Sequence, residues 1–242
     1  MRKVLDSQKL PLTHPEFRYP PSRNPYEDKL KAQGAKVFSN NETEAHRGKW
    51  REILGDRQTL HVEIGSNAGH VIVEWAKRNP EHGYIGIDWK YKAIHRATEK
   101  VLKHQLGNLL FFRSYAERLP FMFAPGEIDH LYLFFPDPWP KKAHWKNRYI
   151  TEGNLRDIAR LMKPGGVFHI KTDHPGYFEW MLEAIEKVTD IWEPRDLSRD
   201  LHAKHPHPTT LEIPDVTLFE RLFIKDGIKI NSLKLHAKST AL

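Results

Sequence analysis

Residues 59–88 read TLHVEIGSNAGHVIVEWAKRNPEHGYIGID. A short β-rich run, 59–65, ends at Gly65. A stretch with helical spacing opens at Gly69 and stops at Pro80, and a second apolar run, 83–88, ends in Asp88. Strand, helix and strand in so short a span is the pattern of a βαβ unit, whose two strands lie parallel. The pattern then repeats. Residues 90–107 read as an amphipathic helix closed by Gly107, 108–114 as a third strand and 128–135 as a fourth. Residues 151–166 place Leu155, Ile158, Ala159 and Met162 on one helical face, 166–173 is a fifth strand, 175–188 a helix, and 216–225 a further strand. Strands alternating with helices predict an α/β fold, a doubly wound, mostly parallel Rossmann-like sheet with helices on both faces.

The ends of the chain differ from this middle. Five prolines (Pro11, Pro15, Pro20, Pro21, Pro25) lie among Arg2, Lys3, Lys9, Arg18 and Arg23 in the first 25 residues. Proline fixes φ and removes a donor, so a basic, extended or partly disordered arm is expected over 1–40. The main domain then covers 41–242, with its core at 59–225 and a peripheral helix at 41–54. At 242 residues the chain can bury a sizeable core. Zero cysteine excludes disulfides and thiolate metal sites. No run approaches the roughly 18 apolar residues of a membrane helix, and the N-terminus lacks the apolar segment of a secretory signal. A cytoplasmic protein without membrane contact is expected. The net charge of +7 favours a polyanionic partner without saying which.

In doubly wound sheets, ligands bind outside the carboxyl ends of the strands. Those ends are Glu63/Gly65, Asp88, Ser114/Tyr115, Asp137 and Asp173, and four of the five carry a carboxylate. Gly65 and Gly69 bracket the first turn, but Asn67 and Ala68 break the dinucleotide pattern G-x-G-x-x-G. Asp88 follows Gly65 by 23 residues, a spacing that suits ribose hydroxyls; it would equally cap the next helix. Glu63 on the strand would repel a pyrophosphate but suits a cationic, amino-acid-bearing ligand. The acids therefore favour S-adenosylmethionine over NAD.

The fourth strand runs into LYLFFPDPWPKKAHWKNR (131–148). Pro136 and Pro138 restrict the backbone around Asp137, and Trp139 offers a face on which a base stacks. Lys141, Lys142, Lys146 and Arg148, with His144 and Trp145 interleaved, suit a phosphate backbone beside an unstacked base. A rigid turn and a solvated loop account for the same residues without a ligand. His202, His205 and His207 in HAKHPHP (202–208) lack cysteine partners and ligand spacing, so no metal is expected.

Glu-Ile-Gly at 63–65, the acid Asp88, F-F-P-D-P-W-x-K-K at 134–142, G-V-F-H-I-K-T-D at 166–173 followed by Tyr177-Phe178, and T-L-F-E at 217–220 belong together. Over about residues 59–225 they resemble the bacterial tRNA (guanine-N7-)-methyltransferase family. The resemblance implies a class I S-adenosylmethionine-dependent methyltransferase fold and tRNA as partner. It implies methylation of guanine 46 in the variable loop, without metal or general base, by a cytoplasmic monomer or homodimer. It further implies that Glu63, Gly65, Asp88, Tyr115 and Asp137 bind cofactor, with Asp137 the catalytic residue where cofactor and target guanine meet. Lys141, Asp173, Thr217, Leu218, Phe219 and Glu220 would contact tRNA. Three positions depart from the family: Leu218 replaces a lysine, Asn67 a glycine, and Tyr115 an aspartate, so Tyr115 would act through its backbone or by stacking on adenine. Asn67 and Tyr115 also motivate another reading, a non-catalytic RNA-binding protein that keeps the fold. A nicotinamide-dependent dehydrogenase is a third, disfavoured by Glu63 and the broken glycine pattern.

Overall fold

The computed structural model of the chain describes residues 7–18, 24–203 and 216–239, in two units that divide after residue 127. The first unit holds β1 (Val37–Ser39), β2 (Leu60–Ile64), β3 (Gly83–Asp88) and β4 (Leu109–Arg113). They pair parallel in the spatial order β1-β4-β3-β2. Glu63 pairs with Gly86, and Asp88 with Arg113, so the carboxyl ends of β2, β3 and β4 lie level. β3 is buried along its whole length, as a parallel strand covered on both faces must be. The helices are α1 (Pro25–Lys31), α2 (Asn40–Ala45), α3 (Trp50–Ile53), α4 (Ile72–Arg78), α5 (Tyr91–Lys103) and α6 (Leu119–Met122). On α5, Ala93, Ile94, Ala97 and Val101 recur at helical spacing and turn inward.

Two expectations change in this unit. The single helix at 41–54 is the pair α2 and α3, parted at Gly48, whose φ of +83° few side chains tolerate. Trp50 opens α3 and is wholly buried, its indole Nε1 donating to the Met122 carbonyl at 2.8 Å. The arm is also more structured than its prolines imply. Pro25 starts α1, and the Asn24 side chain caps it. Residues 7–18 are tied to the buried Arg118, which donates to the Gln8 carbonyl at 3.2 Å, to Leu10 and to Glu44, and lies over the Phe17 ring. Residues 1–6 and 19–23 of the arm lie outside the described residues.

The second unit holds β5 (Ile128–Phe134), β6 (Met162–Thr172), β7 (Trp192–Ser198) and β8 (Asn231–Ala237), with α7 (Glu152–Leu161), α8 (Pro175–Glu186) and α9 (Leu218–Lys225). β5 and β6 run parallel; β8 is antiparallel to both β6 and β7. Thr151 caps α7, which buries Leu155, Ile158 and Ala159, while Met162 already belongs to β6. β7 and β8 are additions to the predicted strands. Leu233, Leu235 and Ala237 alternate inward along β8, a period-two signal that was present in the sequence. β7 carries Pro194, which sequence reasoning treats as a mark against a central strand.

The largest correction is at 216–225, which is the helix α9 and not a strand. The Thr217 hydroxyl accepts the Glu220 N–H at 3.0 Å, and the Glu220 carboxylate accepts the Thr217 N–H at 3.1 Å. This reciprocal capping box is a helix start, and here it overrides the β-rich composition of V-T-L-F. Thr217→Ala should cost about 1 kcal/mol and lower the melting temperature by about 2–4 °C, as read by thermal denaturation followed by circular dichroism.

Candidate active site

β2 delivers Glu63 to the end of the first unit's strands, where it is 5% exposed. The turn that follows uses left-handed backbone at Gly65 (φ +75°), Asn67 (φ +49°) and Gly69 (φ +66°). A Cβ on Gly65 would meet nothing within 4 Å, so the space beside the turn is open. One on Gly69 would stand 2.9 Å from the Phe111 ring, so that position requires glycine. Asn67 keeps the turn despite its side chain, because asparagine visits the left-handed region more readily than most residues. The Asn67 N–H donates to Asp88 Oδ2 at 3.1 Å, and the Lys90 N–H to Asp88 Oδ1 at 2.8 Å. Asp88 therefore fastens the glycine turn and the start of α5 at once. Burial raises its pKa, and the backbone donors offset part of that rise.

Glu63 is under greater stress. Burial, with the Asp88 charge second, pushes its pKa up to about 8. Its Oε2 is buried without a hydrogen-bond partner, as are Ser66 Oγ in the turn and Ser114 Oγ at the end of β4. Buried polar atoms left unpaired cost about 1–3 kcal/mol each. Three at the strand ends of one unit fit a ligand that carries a cationic group and further polar atoms to pair them. Trp89 and Tyr115 lie nearby in the sequence of those ends, with ring planes 13° apart and centroids separated by 6.0 Å. Trp89 is 49% exposed, and Arg113 Nε donates to its carbonyl at 3.1 Å. Burial raises the Tyr115 phenol pKa, so that ring stays neutral. Sequence reasoning placed Ser114 at a strand end without giving it a role, and it missed Ser66 and Trp89; an aromatic directly after a strand-end acid was the available signal for Trp89.

In the second unit, β5 passes into the loop that carries Asp137. Phe135 (φ +53°) and Trp139 (φ +45°) both adopt left-handed backbone, a strain of about 1–3 kcal/mol each that the surroundings must hold. Asp137 is exposed between them, and Trp139 is half-buried. Lys141, Lys142, His144 and Lys146 are exposed. Arg148 is not: it is 4% exposed and turned inward, which removes it from the expected phosphate-facing cluster. Asp173 stands half-buried at the end of β6, beside His174, whose Nδ1 accepts the Tyr177 N–H and caps α8.

The 217–220 stretch splits by direction. Glu220 is fully buried, and its carboxylate accepts from His202 Nε2 at 2.7 Å, Lys171 Nζ at 3.2 Å and the Thr217 N–H. Burial would raise its pKa, but His202 and Lys171 outweigh that and hold the carboxyl below its usual range. Leu218 and Phe219 face outward, at 52% and 50% exposure. Of the histidine-rich segment, His202 serves Glu220, while His205 and His207 lie outside the described residues. Among the described residues no group of three His, Cys, Asp or Glu side chains is placed to hold a metal. No described helix is long and apolar enough to cross a membrane.

Residues 57–232 match the model of a family described as "Putative methyltransferase". A tRNA (guanine-N(7)-)-methyltransferase of Bacillus cytotoxicus is 37% identical over 175 residues, which are 72% of this chain and 79% of that protein. Among solved structures, the chain is similar to the 16S rRNA methyltransferase KamB, with a TM-score of 0.59 and 17% identity over 78% of this chain and 93% of that one. It is also similar to an antibiotic-related methyltransferase, with a TM-score of 0.55 and 19% identity over 77% and 90%. At such identities the likeness establishes the fold, the Rossmann-like α/β fold of class I methyltransferases.

The raised pKa of Glu63 has a measurable sign. Folded, the carboxyl keeps a proton up to about pH 8, whereas its ordinary value is 4.5. The folded state thus binds more protons across this window, and stability falls as pH rises from 4.5 to 8. Glu63→Gln has no proton to lose. Its melting temperature should match wild type at pH 4.5 and exceed it increasingly toward pH 8, as read by ligand-free thermal melts across that range.

Proposed function

This chain belongs to the tRNA (guanine-N7-)-methyltransferase family, and we propose that it transfers a methyl group from S-adenosylmethionine to N7 of guanine 46 in the tRNA variable loop. The reaction is an in-line attack without a general base, in the cytoplasm. The observation that carries this reading is Glu63, a buried carboxylate with one oxygen unpaired at the mouth of an open glycine turn. A cationic nucleoside would draw that carboxyl into its ionised form and pair with it, which a phosphate-bearing dinucleotide could not do. Glu63 would hold the cationic part of S-adenosylmethionine. Asp88, whose oxygens keep further lone pairs beside the turn, would take the ribose hydroxyls. Gly65 lets the ligand approach the backbone, and Tyr115 with Trp89 would flank the adenine. Asn67 retains the left-handed turn, so the departure that motivated a non-catalytic reading is absorbed by the fold.

When bound, S-adenosylmethionine supplies an electrophilic methyl group on a sulfonium sulfur. Guanine N7 already carries an in-plane lone pair, so no side chain has to remove a proton. As the N7–methyl bond forms the sulfur–methyl bond breaks, a neutral thioether leaves and the positive charge passes to the purine, so the task left to the protein is alignment and charge stabilisation. Asp137, held between two prolines and exposed, would stabilise that charge or hold the base edge. Lys141, Lys142 and Lys146 would contact phosphates, with Trp139 available for stacking. Of the remaining tRNA contacts, Leu218 and Phe219 would meet the RNA directly, and Thr217 and Glu220 build the cap that presents them. Asp173 would contact the same substrate.

The direct test is transfer of labelled methyl from S-adenosylmethionine onto tRNA that lacks the modification, followed by mapping of the labelled base. Absence of label, or label on a base other than guanine 46, overturns the reading. Asp137→Ala should keep its fold and lose at least about 100-fold in kcat, the scale of removing one preorganised electrostatic partner; undiminished turnover would remove Asp137 from the chemistry. Glu63→Gln should weaken S-adenosylmethionine binding by about 10–100-fold in calorimetry, the loss of one charge-assisted contact. Changing Lys141 and Lys142 to alanine should flatten the dependence of log affinity on log salt for tRNA by about two units. An unchanged slope would move the RNA path elsewhere.

A further inference from the structure

Arg148 closes a run of basic residues, yet its side chain points into the second unit. The guanidinium carbon lies 4.7 Å from the ring centroid of Trp145, 4.9 Å from that of Tyr177 and 5.1 Å from that of Trp180. A buried cation needs compensation; here three ring faces supply part of it. The remainder comes from one directed bond, Arg148 Nε donating to the Pro138 carbonyl at 3.0 Å.

The cage around the guanidinium is itself fixed. Trp180 Nε1 donates to the Ile150 carbonyl at 3.0 Å. The Tyr177 hydroxyl accepts the N–H groups of Tyr149 and Ile150 at 3.1 and 3.2 Å. Trp145 packs against Trp180 with centroids 5.5 Å apart. Helix α8, which carries Tyr177 and Trp180, therefore sets the position of Arg148, and Arg148 sets the position of the Pro138 carbonyl.

That carbonyl belongs to the residue directly after Asp137. The loop around Asp137 contains two bulky residues in left-handed backbone, Phe135 before it and Trp139 after it. Such backbone persists only where its neighbours hold it. Before Asp137 the hold is the Phe135 N–H, which donates to the Lys171 carbonyl at 2.8 Å. After Asp137 it is Arg148. The charge of Asp137 also reaches the cage, since it adds to burial in raising the Tyr177 phenol pKa.

We propose that Arg148 is a positioning residue for methyl transfer: gripping the Pro138 carbonyl from the Trp145–Tyr177–Trp180 cage, it holds the Asp137 carboxylate in place for the purine that becomes cationic. The proposal rests on the assignment of Asp137 to the chemistry. It also separates Arg148 from Lys141 and Lys142: those act on RNA affinity, Arg148 on the chemical step. Lysine cannot substitute, because it lacks the planar fork that stacks on rings while donating in its own plane.

The test compares wild type, Arg148→Lys, Asp137→Asn and the double variant for kcat and KM on unmodified tRNA, with tRNA affinity and its salt dependence measured separately. Arg148→Lys should lose at least about tenfold in kcat, the cost of a slightly misplaced catalytic group. Its tRNA affinity should stay within about twofold of wild type and its salt slope should not change. In the Asp137→Asn background the same change should cost little more. Trp145→Leu, at a half-exposed position, should show a smaller loss of the same kind and covers the case in which Arg148→Lys does not fold. Full kcat in either folded variant overturns the proposal. So does a loss that simply multiplies with that of Asp137→Asn, and so does a flattened salt slope, which would make Arg148 a phosphate contact. Wild-type protein that transfers no methyl group would instead overturn the reaction assignment on which the proposal stands.

Discussion

The first unit depends on a carboxylate that serves two pieces of backbone. Asp88 accepts the Asn67 N–H with one oxygen and the Lys90 N–H with the other. The Gly65 and Ser66 N–H groups meanwhile converge on the Ile87 carbonyl. The turn after β2 is thus stapled to the end of β3, and the backbone groups that would otherwise be orphaned at a strand-to-helix corner are satisfied. A side chain first read as either a helix cap or a ribose acceptor is not the cap, since α5 starts from Lys90 without a side-chain cap bond; it holds the Lys90 N–H just ahead of the helix and keeps lone pairs for the other role. Without it the left-handed corner at Gly65 and Asn67 would lose its anchor, and Glu63 would have no rigid frame.

Two of the buried glutamates, Glu63 and Glu220, show how differently one side chain can be treated. Glu220 is surrounded by donors from His202, Lys171 and the Thr217 backbone, so it stays ionised and acts as a structural knot. Glu63 has an unpaired oxygen and a raised pKa. A buried charge is stable when its hydrogen bonds are complete, which is the case at Glu220. At Glu63 the deficit is stored in the fold, and such stored deficits concentrate at ligand sites. Asp137 is a third case. It is exposed, and its special feature is the strained backbone on either side, held by Lys171 through Phe135 and by Arg148 through Pro138.

Much of the fold was legible. The strands at 60–64, 83–88, 109–113 and 128–134 and the helices α4 and α5 follow from periodicity, which is a local property of the chain, whereas the one-turn α6 was too short to show it. The strand-end acids followed from those boundaries. What misled was composition where a specific contact decides. V-T-L-F looked like a strand until the Thr217–Glu220 cap is weighed, and that pairing, three residues apart, was readable. β8 had its alternation, but its antiparallel place beside β6 and β7 depends on partners far along the chain. Pro-rich residues 7–18 looked unanchored because their anchor, Arg118, follows about a hundred residues later.

By itself, then, the sequence determined where the strands end and which acids, glycines and prolines stand there, because spacing along the backbone places them. Only the tertiary structure decided which way the charged side chains point. Lys171 meets Glu220 across 49 residues, and Arg148 is drawn inward by Tyr177 and Trp180 from a later helix. A run of basic residues carries no mark that says which of its members faces solvent. That choice follows from which ring faces and carbonyls packing brings within reach, and at Arg148 packing turned one positive charge from the surface toward the backbone of the proposed catalytic loop.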